Sequence, residues 1–235
     1  MKALARLLAL ALAAAFALQL FFALRIAALA VIDPQSSAFQ RSEAWAQFAR
    51  DGTLRWRQQW TPYARISEPL KRAVLASEDD GFVNHDGVEW DAIEKAWEHN
   101  AKAEAAASNR RAPRIRGGST ITQQLAKNLL LSGERTYARK GQELALALTM
   151  EQLLPKRRIL EIYLNTVQWG EGVFGAEAAA QRYFHKTAGQ LNAHEAARLA
   201  VMLPAPKRFE KTPDSPYLAE RTRTIMARMA QTELP

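Results

Sequence analysis

The chain of 235 residues contains no cysteine. That excludes disulfides, thiolate zinc sites and a cysteine nucleophile together. Histidine is scarce: His85, His99, His185 and His194 are the whole supply. None stands in an H-E-x-x-H or comparable spacing, which argues against a transition metal caged by the protein. There is no Walker loop, no nucleotide-binding βαβ unit and no internal repeat. An S-x-x-K nucleophile motif is also missing. Acids are few beside bases, 24 against 32, so the formal charge is +8 and the pI about 9.9. The expected partners are therefore anionic: a phosphorylated substrate, an acidic membrane surface or nucleic acid.

What is present begins with apolar residues. At 48% they can build a real core, and the length allows one medium domain with an appendage. Leu7 to Leu24 holds Gln19 as its only polar side chain; Arg25 interrupts, and Ile26 to Ile32 resumes. About 20 apolar residues span a bilayer. Arg25 lies near the far end, where its stem can snorkel to the interface. Lys2 and Arg6 precede the run, so the N-terminus stays cytoplasmic and the body is exported. A cleaved signal peptide is the rival, but its apolar region usually runs about 7–15 residues. The reading is therefore a cytoplasmic N-terminus over 1–6 and an uncleaved anchor over 7–32. Residues 33–60 form a linker and membrane-proximal segment, carrying Trp45, Phe48, Trp56 and Trp60 and a strand near Thr53 to Trp60. The main domain occupies 61–235.

Two stretches of that domain stand out. Glu78-Asp79-Asp80-Gly81-Phe82-Val83-Asn84-His85-Asp86-Gly87 follows an apolar helical run over Pro69 to Ser77. A carboxylate where a buried helix gives way to irregular chain can be held rigidly at a cleft edge, its pKa tuned by partial burial. The bland alternative is a solvated acidic turn. The second stretch is Gly117-Gly118-Ser119-Thr120-Ile121-Thr122-Gln123-Gln124-Leu125-Ala126-Lys127-Asn128. Thr120 and Gln123 fit a capping box, and Ile121, Leu125 and Leu129 make a core stripe. Glycine-rich chain entering a helix N-terminus is suited to anions. Between the two lies a helical pattern over Val88 to Ala107, then a basic loop, Ser108 to Arg116.

Helices are also expected from Glu134 to Leu154, Lys156 to Asn165, Ala176 to Phe184, Ala193 to Leu203 and Pro216 to Thr232. In the first, Arg139 and Glu143 are i, i+4 neighbours, and Lys140 and Glu143 are i, i+3. This is either a surface ion-pair ladder or a second catalytic carboxylate held among cations. Gly170, Gly172 and Gly175 mark a turn-rich segment.

The acidic stretch, the Gly-Gly-Ser-Thr-Ile-Thr-Gln-Gln helix, the Arg139-Lys140-x-x-Glu143 helix, Ile159 to Asn165, and Gly172 to Phe184 come in that order. In this the chain resembles the peptidoglycan glycosyltransferases, lipid II polymerases of family-51 type, over about residues 60–210. It is most similar to the members without a transpeptidase domain. The resemblance implies a mainly α fold with minor β: a lysozyme-like large lobe and a smaller membrane-facing lobe, behind one transmembrane helix. It implies inverting transfer of a lipid-pyrophosphate-linked MurNAc to the 4-OH of GlcNAc, with undecaprenyl pyrophosphate released. Glu78 would be the general base and Glu143 the second glutamate. Asp79, Ser119, Gln124, Lys127, Arg135, Arg139 and Lys140 would sit near the chemistry or on pyrophosphate. Gln142 departs from members that carry lysine there. No cofactor is required, and a divalent cation (Mg or Mn) could assist. Expected partners are lipid II, the lipid-linked glycan chain, the inner membrane and cell-wall synthesis or division proteins, with no nucleic acid; the catalytic domain would lie in the periplasm. The alternatives are a lytic, lysozyme-like muramidase and a non-catalytic polyanion-binding protein.

Overall fold

A computed structural model describes residues 2–90, 94, 118–131 and 136–235. The basic loop over Ser108 to Arg116 and most of the helix expected over Val88 to Ala107 lie outside these residues. The protein is mainly helical, as its patterning implies.

Helix α1, Lys2–Ala28, runs unbroken through Arg25. Arg25 is exposed and its guanidinium lies 5.7 Å from the Phe21 ring. The helix is long and apolar enough to cross a membrane, and most of its span is exposed. Near its end Phe22 and Ile26 turn into the core, where α1 packs on α5 (Tyr137–Leu153). The exit is fixed by Arg158. Its guanidinium donates to the Leu29 carbonyl at 2.7 Å, the Ile32 carbonyl at 3.1 Å and Asp33 Oδ1 at 2.7 Å. What reads in sequence as a linker is thus bonded to the body.

Helix α2, Ala38–Asp51, is absent from the sequence reading, which left this stretch mixed. Ser37 and Gln40 form a reciprocal capping box that starts it, and Gly52 at φ +67 ends it. Gln40 Nε2 then donates to the Thr166 carbonyl at 3.0 Å, which seats α2 against the domain beside α4 (Ile121–Leu130).

Helix α3, Glu68–Glu78, opens on the Ser67 cap with Pro69 in its first turn. Leu70, Ala73, Val74 and Leu75 are wholly buried, against α8 (Ala193–Met202) and α10 (Pro216–Met229). Helix α4, Ile121–Leu130, buries its Ile121, Leu125 and Leu129 stripe and carries the expected Thr120/Gln123 capping box. Helix α6, Lys156–Thr166, comes after α5 with only Leu154 and Pro155 between. The glycine segment forms a short sheet of order β1-β3-β2: Arg57–Gln58 pairs parallel with Val173–Phe174, which pairs antiparallel with Gln168–Gly170. Arg57–Gln58 falls within the strand expected near Thr53 to Trp60; the other two strands, of two and three residues, are too short for periodicity to reveal. Helix α7, Ala176–Phe184, leads through a short turn to α8, and α9, Pro206–Phe209, joins α8 to α10.

Candidate active site

Glu78 is the last residue of α3 and half-buried. Its Oε2 accepts from Gln124 Nε2 at 3.1 Å. Gln124 is itself oriented, because its Oε1 accepts from the buried Tyr163 hydroxyl at 3.0 Å. Tyr163 therefore fixes which end of the amide meets the carboxylate. Burial pushes the Glu78 carboxyl above its ordinary value, while the Gln124 hydrogen bond works in the opposite direction. Burial also pushes the Tyr163 phenol far up, so it stays protonated and donates.

Asp79, the next residue, faces the other way. It is buried, and its Oδ2 accepts from the Ile121 N–H at the start of α4, at 2.8 Å. Its Oδ1 meets His85 Nε2 at 2.9 Å. His85 Nδ1 accepts from the Gly87 N–H at 3.1 Å, so the ring proton sits on Nε2 and is donated to Asp79. Asp79 thus joins the end of α3 to the start of α4, with a carboxylate at a helix N-terminus where the dipole favours it. Asp80 is exposed yet held by C-terminal residues: Thr232 Oγ1 at 2.9 Å and Arg228 at 3.2 Å. Phe82 is buried and stacks edge-on to His85 and under the Lys156 ammonium. Gly87 takes φ +83, and its carbonyl accepts from Thr120 Oγ1 at 2.6 Å.

A cleft of about 780 Å³ opens beside Glu78. Its lining includes Ser119, Gln124, Lys127, Asn128 and Arg139, and also Phe39, Ser42, Gln168 and residues of the Leu203–Pro206 turn. Nε and Nη1 of Arg139 are closed to solvent and have no hydrogen-bond partner among the described residues. A guanidinium with two unmet donors suits an incoming anion, since each unmet donor carries a desolvation penalty of about 1–3 kcal/mol.

Glu143 is buried and paired with Lys140 Nζ at 2.5 Å, so its partner is the i, i+3 lysine. Lys140 also reaches Ser119 Oγ at 3.2 Å, which links Glu143 to the cleft rim. The structure therefore gathers Glu78, Ser119, Gln124, Lys127 and Arg139 around one cleft. Lys140 and Glu143 stand beside it, and Asp79 stands behind it. Arg135 lies outside the described residues. Sequence reasoning missed Tyr163, Asn128 and Gln168. Tyr163 left one signal, a phenol on the apolar face of an amphipathic helix, where a hydroxyl needs a partner.

A mainly helical body with a tuned carboxylate facing cations across an open cleft is the layout of a group-transfer enzyme acting on an anionic substrate. The transglycosylase family model matches residues 44–230. The chain is 54% identical over 203 residues to the biosynthetic peptidoglycan transglycosylase of Bordetella pertussis, covering 86% of this chain and 82% of that protein. To the protein of the same name from Burkholderia thailandensis it is 53% identical over 219 residues, 93% of this chain and 82% of the relative. The one from Paraburkholderia xenovorans is 51% identical over 220 residues, 93% and 88%. The chain belongs to the transglycosylase family, and it is a glycosyltransferase.

Proposed function

We propose that this protein polymerises lipid II into peptidoglycan glycan strands, anchored in the bacterial inner membrane by α1 with its body in the periplasm. The observation that carries the reading is a half-buried carboxylate and a guanidinium with two nitrogens unpartnered among the described residues, on one cleft. Glu78 takes the proton from the GlcNAc 4-hydroxyl of lipid II. The freed oxygen forms a bond to C1 of the lipid-linked MurNAc at the chain end. The C1–O bond to pyrophosphate breaks, and the configuration inverts. Such a leaving group departs once its charge is neutralised, and Arg139, Lys127 and Ser119 supply that, with Lys140 behind Ser119. Glu143 holds Lys140 in place. Among the described residues no three His, Cys, Asp or Glu side chains gather to hold a metal ion. The chemistry requires no cofactor, and a Mg or Mn ion would arrive on the pyrophosphate.

The test compares wild type and Glu78→Gln on lipid II and, separately, on finished glycan strands. Wild type is expected to polymerise lipid II and leave strands intact. Glu78→Gln should lose about 10²–10⁴-fold in rate with its fold retained, the range a positioned acid–base group contributes. Shortened strands without polymerisation would assign a muramidase instead; full activity in the variant would remove Glu78 as the base.

A further inference from the structure

One residue of the cleft lining is unexplained by the proposed reaction. Gln168 is 7% exposed and lines the cleft. Its Nε2 is closed to water and has no hydrogen-bond partner among the described residues. A buried carboxamide donor left unmet is costly, so one beside a substrate cleft calls for a partner.

The backbone there is built to place it. Gln168 pairs with Phe174 and Gly170 with Val173, so the ladder carries a bulge at Trp169. Trp169 goes to the core, wholly buried, its Nε1 donating to the Leu199 carbonyl at 3.1 Å. Successive residues of a strand point to opposite faces, so its neighbour Gln168 turns the other way, and it lines the cleft. The terminal amide torsion is broad and two-fold, so turning it brings the donor to the cleft surface at small cost. Phe39, Val167, Leu203, Pro204 and Pro206 give the same cleft apolar lining beside its cations, Lys127 and Arg139. A carboxamide is an uncharged donor, so it complements a neutral acceptor, while the cations complement a phosphate.

We infer that Gln168 is a substrate-positioning residue that donates a hydrogen bond to a neutral oxygen of the bound sugar, a hydroxyl or acetamido carbonyl. This rests on the proposed reaction for the identity of the sugar.

The test is Gln168→Met, which keeps the length and removes the donor, with Gln168→Glu as a second variant of the same shape. For a lost neutral hydrogen bond, KM for lipid II should rise about five- to tenfold with kcat within twofold. Inhibition by inorganic pyrophosphate should be unchanged. The melting temperature of Gln168→Met should hold or rise, because an apolar group of similar shape replaces an unmet donor. A structural role would move these readouts the other way: a lower melting temperature, with kcat, KM and pyrophosphate inhibition impaired together. That pattern, or an unchanged KM, overturns the inference. Calorimetry with a soluble GlcNAc–MurNAc fragment separates the two claims. If wild type binds the fragment more tightly than Gln168→Met but makes no polymer, the reaction reading fails and Gln168 keeps its role. Equal binding removes that role.

Discussion

Removing the Asp79 carboxylate should unlatch α3 from α4. Two charged hydrogen bonds are at stake, to the Ile121 N–H at 2.8 Å and to His85 at 2.9 Å. Both partners would be left buried and unsatisfied, because Thr120 and Ile121 begin α4 deep in the domain. A hydrogen bond to a charged group contributes about 1.5–3 kcal/mol, so losing both costs about 3–6 kcal/mol. That is about a fifth or more of a typical domain stability of about 5–15 kcal/mol. Asp79→Asn is the sharper probe. Its remaining oxygen can still accept from Ile121, but its NH₂ would then face the Nε2–H of His85, donor against donor. His85 cannot simply switch tautomer, since its Nδ1 accepts from Gly87 N–H. Asparagine should therefore cost about 1–3 kcal/mol, one unmet buried donor. Urea unfolding in detergent micelles, followed by tryptophan fluorescence, measures both. If Asp79→Ala unfolds within about 0.5 kcal/mol of wild type, well below the cost of one such bond, the latch is not a structural device and Asp79 must be sought in the chemistry.

Neighbouring residues carry further expected outcomes. Glu78 must be ionised to act as base, and its pKa is raised by burial, so the acid limb of kcat/KM should lie above the ordinary carboxylate range. Gln124→Leu removes a hydrogen bond that favours the ionised form, and the limb should move further up; a downward move would contradict the contact. The linkage has the matching sign. Folded Glu78 holds its proton more tightly than the unfolded chain does, so stability falls as pH rises through that window, and Glu78→Gln should be the more stable protein at neutral pH. Gly87→Ala should lose about 1–3 kcal/mol in the same unfolding assay. The site holds φ +83, and a Cβ would stand 2.7 Å from Glu151 Cγ and 3.3 Å from the Ala147 carbonyl. An unshifted midpoint would show that the turn can relax.

Most of the helical plan was legible in the chain because its determinants are local. Ser67 and Pro69 start α3, Thr120 and Gln123 start α4, and Pro155 and Pro204 stand just past the ends of α5 and α8. The core stripe of α4 and the bounds of α7 depend on a 3.6-residue period and a few caps. Helix α2 was not legible. Its Trp45 and Phe48 stay exposed, so its pattern does not point to a core, and only the Ser37/Gln40 box marks its start.

The same division holds for the site. Sequence by itself determined that Glu78 sits at a helix end, that Ser119, Gln124 and Lys127 attend one helix start, and that Arg139, Lys140 and Glu143 share a helix turn or two. Those are facts of spacing. Only the tertiary structure decided that these three groups meet, that Asp79 turns inward as a latch while Glu78 turns to the cleft, and that Lys140 pairs with Glu143. It alone drew attention to Tyr163, through a contact across 39 residues, and to Gln168, through its place in the cleft lining. Spacing along a chain fixes which residues share a helix face. Which faces then bury each other, and which polar atoms are left without partners, is settled only when distant segments compete for the same core.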